Sequence, residues 1–388
     1  MASFTSMWAD LEPVGRAPSG GYRRFALTRE DHTLREWFAG EAAARGLEVV
    51  TDRAGNQWAW WNPGPEPGIA IGSHLDSVPD GGAFDGPLGV VSAFAAIDAL
   101  RAAGFTPARP VAVTNFRDEE GARFGVACAG SRVLTGALDP DRARALRDDD
   151  GVTLGEALGG QDLGPDPEML ARVAAFVELH VEQGRGLVDL GRPVAVGSGI
   201  WPHGRWRVDL PGEANHAGTT RLADRRDPML AHAELVLAAR AAATTHDAVA
   251  TCGKVRVEPN GVNAIPSLVT GWVDARGADE ERVRAVVDEL RELAQAHGGR
   301  ITEESWTGPT EFDPPLVRRI AALLDDAPVL ATGAGHDAGI LAAAGVPTAM
   351  LFVRNPTGVS HSPAESAEEA DCLAGVAALA GVVAELAA

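Results

Sequence analysis

Lysine is almost missing from this chain of 388 residues. Lys254 is the only one, and arginine carries the rest of the positive charge. A lysine-dependent mechanism therefore has one candidate, in the strand-like stretch TCGKVRV. The phosphate-cradling pattern GxxxxGK[ST] is absent, which argues against a P-loop nucleotide site. Cysteine is scarce too. Cys128, Cys252 and Cys372 form no CxxC pair, and an odd count gives no disulfide framework. A reducing, cytoplasmic home is expected. Positive charge falls short overall, with 34 Lys and Arg against 54 Asp and Glu, a net charge of −20. That speaks against a non-specific nucleic-acid binder, which needs a basic footprint. It leaves room for an anionic substrate at a locally basic site. No unbroken apolar run approaches the ~18 residues of a membrane span. The opening MASFTSMWADLEP has neither the basic nor the apolar region of a signal peptide. No GxSxG elbow supports a serine nucleophile.

Against these absences stand an apolar fraction of 45% and a charged fraction of 23%, which suit a packed globular core. At roughly 150 residues per domain the length gives two or three domains, or one large domain with an insertion. Strands are expected at 47–51, 57–61, 69–73, 110–116 and 173–179, and helices at 29–45, 87–103 and 131–147. The run 69–73, the helix 87–103 and the run 110–116 make a β-α-β unit, hence a parallel sheet. Residues 148–170 read as irregular surface with short helical turns.

From about 200 the texture changes to strand 205–210, helix 227–243, strands 250–258 and 268–275, helix 279–297 and strand 299–305. That order is the split, ferredoxin-like arrangement. The doubly wound pattern resumes with helix 314–325, strand 328–331, helix 336–344, strand 347–353 and a C-terminal helix 366–387. The fold class is therefore α/β. A catalytic domain with a doubly wound mixed sheet (1–199 and 311–388) is interrupted by an inserted ferredoxin-like α+β domain (200–310).

The titratable residues gather behind predicted strands. His74 and Asp76 follow 69–72, Glu119 and Glu120 follow 110–116, His180 ends 173–179 and His361 follows 347–353. Loops at the carboxyl ends of parallel strands line the ligand crevice. Asp85 lies at the entry to the helix after His74. His, Asp and Glu without Cys suit borderline divalent ions: Zn²⁺, Mn²⁺, Co²⁺ or Ni²⁺. Five ligands with one shared carboxylate suit two such ions, which acidify a water and clamp an oxyanion. Asp76 is placed to orient the His74 ring. Of the adjacent Glu119 and Glu120, one can ligate while the other stays free as general base. Arg276 follows an apolar strand and can grip a carboxylate with two parallel bonds. His216, in a Gly/Asn/Thr loop, suits donation to an oxyanion. GAGHDA, with Gly335 and His336, enters a helix whose first amides suit an anion, or is a plain helix start.

The segments GSHLDSVPDGGAFDGPLGV, RDEEGARFG, ELHVEQGRGL, GEANHAGTT, NAIPSLVTGWVDAR, GAGHDA and GVSHSPAE together resemble the allantoate amidohydrolase and N-carbamoyl-L-amino-acid hydrolase family. That family belongs to the di-metal aminoacylase and carboxypeptidase superfamily, and the resemblance spans about residues 10–388. It implies two divalent ions per subunit, one on His74, Asp85 and His180, the other on Asp85, Glu120 and His361. It implies Glu119 as base, and Gln183, His216, Asn263 and Arg276 as substrate ligands. It also implies a homodimer in which the inserted domain makes the interface and sends His216 into the partner's site.

The expected substrate is a small anionic N-carbamoyl-, ureido- or N-formyl-amino acid. The chain departs from the family pattern at Arg221-Leu222, after HAGTT, and at Arg354-Asn355-Pro356. If Arg221 and Arg354 make a second anion point, the substrate is a dicarboxylate such as N-formyl-L-glutamate. The rival readings are a dipeptidase or aminoacylase of the same superfamily, and a metal-binding scaffold without catalysis.

Overall fold

In the computed structural model, which describes residues 3–388, the helices Phe4–Leu11 and Arg29–Ala44 precede the first of the strands. The first six strands are β1 (Glu48–Thr51), β2 (Gln57–Trp61), β3 (Gly68–His74), β4 (Val111–Phe116), β5 (Val173–Val181) and β6 (Val194–Ile200). Then follow β7 (His203–Pro211), β8 (Asn215–His216), β9 (Ala248–Glu258), β10 (Ala264–Ile265), β11 (Leu268–Gly277) and β12 (Arg300–Thr307). The last three are β13 (Thr310–Glu311), β14 (Val329–Thr332) and β15 (Thr348–Val353). The chain divides into two compact units: residues up to Gly199 together with Glu311–Ala388, and Ile200–Thr310.

The larger unit is built on a mixed sheet in the order β1-β2-β4-β3-β5-β15-β6-β13, with β14 against β6. Its four central strands, β4, β3, β5 and β15, run parallel. β3, β4 and β15 are buried from end to end. An unbroken apolar run with no alternation is the signature of a strand covered on both faces. The helices Pro87–Ala102 and Glu369–Leu386 pack on each other and on β3, β5 and β15. Because the four strands point the same way, their carboxyl ends share one edge. Whatever follows them in sequence is delivered there.

The smaller unit carries a four-stranded antiparallel sheet in the order β12-β7-β11-β9. Here the strands alternate, as a sheet with one covered face demands. Val208, Leu210 and Val273 turn inward against Leu235, Val286 and Leu290 from the helices Pro228–Thr245 and Glu280–Ala296. Val283, Val286, Val287, Leu290 and Ala294 of the second helix recur at helical spacing on the buried face.

One expected element is corrected. The helix predicted over 131–147 is two helices, Ala129–Thr135 and Pro140–Ala145. Gly136 ends the first in the left-handed region (φ 79°), and Asp139 caps the second with Pro140 at its start. Among the described residues no helix is long and apolar enough to cross a membrane.

Candidate metal centre

β3 ends in His74 and β5 carries His180 as its penultimate residue. Asp118, Glu119 and Glu120 follow β4, and His361 lies in the loop beyond β15. Two of these positions are held in the left-handed region, Asp118 at φ 54° and His361 at φ 55°. Non-glycine residues adopt that conformation at a cost, repaid where the surroundings fix a functional geometry.

Asp85 sits between the strand ends, and its two oxygens face different neighbours. Oδ1 lies 3.2 Å from His180 Nε2 and 3.6 Å from His74 Nε2. Oδ2 lies 3.5 Å from His361 Nε2, which is also 3.5 Å from Glu120 Oε2. Two ligand sets result, His74–Asp85–His180 and Asp85–Glu120–His361, each with its ligand atoms within 4.8 Å of one another. Gly86 follows Asp85 at φ 85°, and a Cβ there would fall 2.4 Å from the His74 ring, so only glycine lets the turn pass.

The hydrogen bonds behind these side chains suit a cation. His74 Nδ1 donates to the Asp76 carbonyl at 3.2 Å, and His180 Nδ1 to the Val181 carbonyl at 2.9 Å. Each bond holds one ring proton on Nδ1 and turns Nε2 toward the carboxylates, where it can carry a second proton or, with that proton displaced, face a cation. His74 Nε2, His180 Nε2 and Glu120 Oε1 are buried and have no hydrogen-bond partner. Three orphaned polar atoms in one pocket would be costly in a finished protein core, and a divalent ion would satisfy them.

The charges agree. Burial pushes the Glu120 carboxyl up to about 8, with Asp85 adding to the rise. Burial also raises Glu119 well above the usual carboxylate range, opposed by His74 and reinforced by Asp337 and Glu120. Burial would raise Asp85 as well, but His180 and His74 outweigh it and hold that carboxyl well below its ordinary value. A pocket so crowded with carboxylates gains from a cation.

Asp76 does more than face the His74 ring. Its carboxylate accepts the backbone amides of Glu119 (3.1 Å) and Glu120 (3.0 Å), so one residue braces a ligand and the loop of both glutamates. Glu119 Oε1 accepts the Cys128 thiol at 3.2 Å, while Oε2 lies 3.7 Å from His74 Nε2. Gln183 donates from Nε2 to Asp85 Oδ2 (2.8 Å) and to Ser360 Oγ (3.1 Å). His336 is buried and lies against His180, with ring centroids 4.5 Å apart and the ring planes tilted by 59°. Burial, helped by the His180 charge, keeps its pKa well below the ordinary histidine value. Gly335 beside it is exposed, and the helix after GAGHDA is a short one, Asp337–Ala343.

In the smaller unit, β8 pairs with β10 so that His216 stands opposite Ala264, next to Asn263. His216 Nδ1 accepts the Gly218 amide at 3.0 Å, which puts the ring proton on Nε2 as a donor. Arg276 lies at the far end of β11, bonded to Asp274 through Nε (2.7 Å) and Nη2 (3.1 Å). Arg221 and Arg354 both have partners. Arg354 grips buried Asp371 with Nε (2.8 Å) and Nη2 (3.0 Å), and exposed Arg221 pairs with Asp224 at 2.6 Å.

Three residues escaped the sequence reading. Glu178, fully buried in β5, accepts from Ser73 Oγ (2.7 Å) and the Ala338 amide (3.0 Å), and lies in a further cluster with His180 and His336. An acid inside the apolar run VAAFVELHV was the available signal. Cys128 was counted only as a thiol without a pair. Glu365, which bonds to the loop carrying Asp85, closes the segment GVSHSPAE, but nothing in that segment shows which distant loop it meets.

Comparison with known proteins agrees with this geometry. The N-carbamoyl-L-amino acid amidohydrolase of Geobacillus stearothermophilus is 35% identical, over 97% of this chain and 96% of its own. The allantoate amidohydrolase of Escherichia coli is 34% identical over the same shares, 97% and 96%. A crystal structure of a hydantoinase/carbamoylase family amidase from Burkholderia vietnamiensis superposes with a TM-score of 0.86 at 30% identity, covering 100% of this chain and 98% of that one. The sequence profile of peptidase family M20/M25/M40 matches residues 70–385, which include every ligand described above, and the chain belongs to that family.

Proposed function

We propose that this protein is a homodimeric di-metal amidohydrolase that cleaves a linear C–N bond in a small anionic N-carbamoyl- or ureido-substituted amino acid, such as allantoate. The observation that carries the reading is Asp85, whose two oxygens divide between two sets of His and Glu ligands. The names of the relatives support the substrate class.

His74, Asp85 and His180 would hold one ion, and Asp85, Glu120 and His361 the other. The His and carboxylate set suits Zn²⁺ or Mn²⁺, with Co²⁺ and Ni²⁺ as alternatives. Bound there, the ions would acidify a shared water and polarise the scissile carbonyl. Glu119 is the proton carrier. Cys128 steadies its Oε1, leaving Oε2 to take a proton from the attacking water and return it to the departing nitrogen. His216, with its proton on Nε2, donates to the developing oxyanion.

The geometry of the smaller unit supports a dimer. His216 and Asn263 lie near the start of β11 and Arg276 near its end. Eight residues of strand at ~3.3 Å each separate them by roughly 26 Å. If one small substrate meets both ends, two chains must contribute, which is the homodimeric arrangement proposed here. The exposed Leu230 and Leu237 of the helix Pro228–Thr245 and the free edge of β9 provide apolar surface for such a pairing.

The dicarboxylate version of the reading requires Arg354 to abandon buried Asp371, and a monocarboxylate needs no such break.

The test is a hydrolysis screen of chelator-stripped protein reloaded with Zn²⁺ or Mn²⁺. It uses N-carbamoyl-L-amino acids, allantoate, N-formyl-L-glutamate, N-acetyl amino acids and dipeptides, reading ammonia, formate and amino acid separately. Metal-dependent release of ammonia from a carbamoyl or ureido substrate is expected. Activity on dipeptides or N-acetyl amino acids alone would establish the peptidase or aminoacylase reading instead. Full metal loading with no turnover would favour a scaffold.

A further inference from the structure

Glu365 is nine-tenths buried, lies outside every ligand set, and spends both carboxylate oxygens on the loops that bear the ligands. Oε1 accepts two consecutive backbone amides, Phe84 at 2.8 Å and Asp85 at 2.9 Å. Oε2 lies 3.1 Å from the Ser360 hydroxyl, which is 3.0 Å from Asp85 Oδ2. A serine hydroxyl has one proton to give. Gln183 bonds to both Asp85 Oδ2 and Ser360 Oγ. When Asp85 Oδ2 is engaged as a ligand, the Ser360 proton is therefore best spent on Glu365. The approach is close by construction, since a Cβ at Gly82 would fall 2.3 Å from Glu365 Oε1. Glu365 thus joins the loop of Asp85 to the loop of His361, parts of the chain some 280 residues apart.

We propose that Glu365 is a positioning residue that sets the second of the two ion seats, the one formed by Asp85, Glu120 and His361. The proposal rests on the two-ion reading above. A carboxylate buried with three donors is expensive to place and strongly directional once placed. Its donors are the amide of Asp85, the amide before it and the hydroxyl next to His361. The first seat shares Asp85, but its two histidines have their own supports, the carbonyls behind His74 and His180, so it depends less on this bracket.

The experiment compares the parent chain with Glu365→Ala and Glu365→Gln. Each protein is stripped with chelator and titrated with Mn²⁺ by calorimetry, with bound metal measured after desalting. The parent should take up two ions per chain. Glu365→Ala should weaken one ion by ~10–100-fold, the usual effect of removing a partner behind a ligand, and the other by clearly less. Glu365→Gln keeps an acceptor for the two amides and should fall between. It carries the test if the alanine variant does not fold. Two ions at parental affinity in both variants, or equal weakening of both ions, would overturn the proposal. Fewer than two ions in the parent would overturn the two-ion reading and this proposal with it.

Discussion

His74, Asp85, Glu119 and His180 are all less than a tenth exposed and braced from behind, whereas His216, Arg221 and Asn263 of the smaller unit stand open to solvent. The proposed function explains the contrast by what each group would hold. A divalent ion tolerates little error in distance, so its ligands sit on strand ends with their ring protons already committed to carbonyls. A small flexible substrate needs donors that arrive with it or with a second chain, and buried donors without partners would be costly. His361 lies between these extremes: its side chain is 51% exposed and its backbone is left-handed, which would make it the ligand at the open rim.

The largest expected effect lies in the buried set. Glu119→Gln should keep both ions and lose ~10²–10⁴-fold in turnover, the range for a general base. Glu120→Gln should weaken one ion instead. Metal content measured beside kinetics decides between them. Loss of metal from the Glu119 variant alone would exchange the two roles.

The open set is probed next. His216→Ala should leave fold and metal content intact and cut turnover by ~10²–10³-fold, as loss of an oxyanion donor does. Mixed under subunit exchange with Glu119→Gln, it should regain activity, because one site of the heterodimer then has both Glu119 and His216. No recovery despite proven exchange would place His216 in its own chain's site.

Arg354 tests whether an arginine beside a ligand loop must serve substrate. Its bonds to buried Asp371 predict that Arg354→Ala costs about 1–3 kcal/mol of stability, with kcat/KM on an N-carbamoyl-L-amino acid unchanged. A selective loss of activity toward N-formyl-L-glutamate, without a fall in thermal midpoint, would restore the second-anion reading. The smallest effect is at Cys128. Cys128→Ala removes one weak donor to Glu119, and kcat should fall by no more than about tenfold with KM and metal content unchanged. Cys128→Ser should recover most of the loss.

The sequence was legible where function depends on local order. An apolar run followed by His or Glu becomes a parallel strand with a ligand at its carboxyl end, so His74, Glu119, Glu120, His180 and His361 could be assigned to one edge without coordinates. It was not legible where function depends on where distant chain segments meet. Glu365 bonds to backbone amides far away in the chain, and amides carry no sequence signal. Arg354 looked available because nothing near it announces Asp371, which reaches it from the start of the last helix. Arg221 had its answer three residues on, in Asp224. The helix predicted over 131–147 ran through Gly136 and Pro140, two stop-and-start signals that outweighed its apolar spacing.

The claim on which the rest depends is that Asp85 serves two ions at once. It is tested most directly by counting Mn²⁺ bound per chain in the parent and in His180→Ala, His361→Ala and Asp85→Ala. Two ions in the parent, one in each histidine variant and none held tightly in Asp85→Ala is the predicted result. A parent that saturates at one ion, or an Asp85→Ala protein that still holds two, would contradict it.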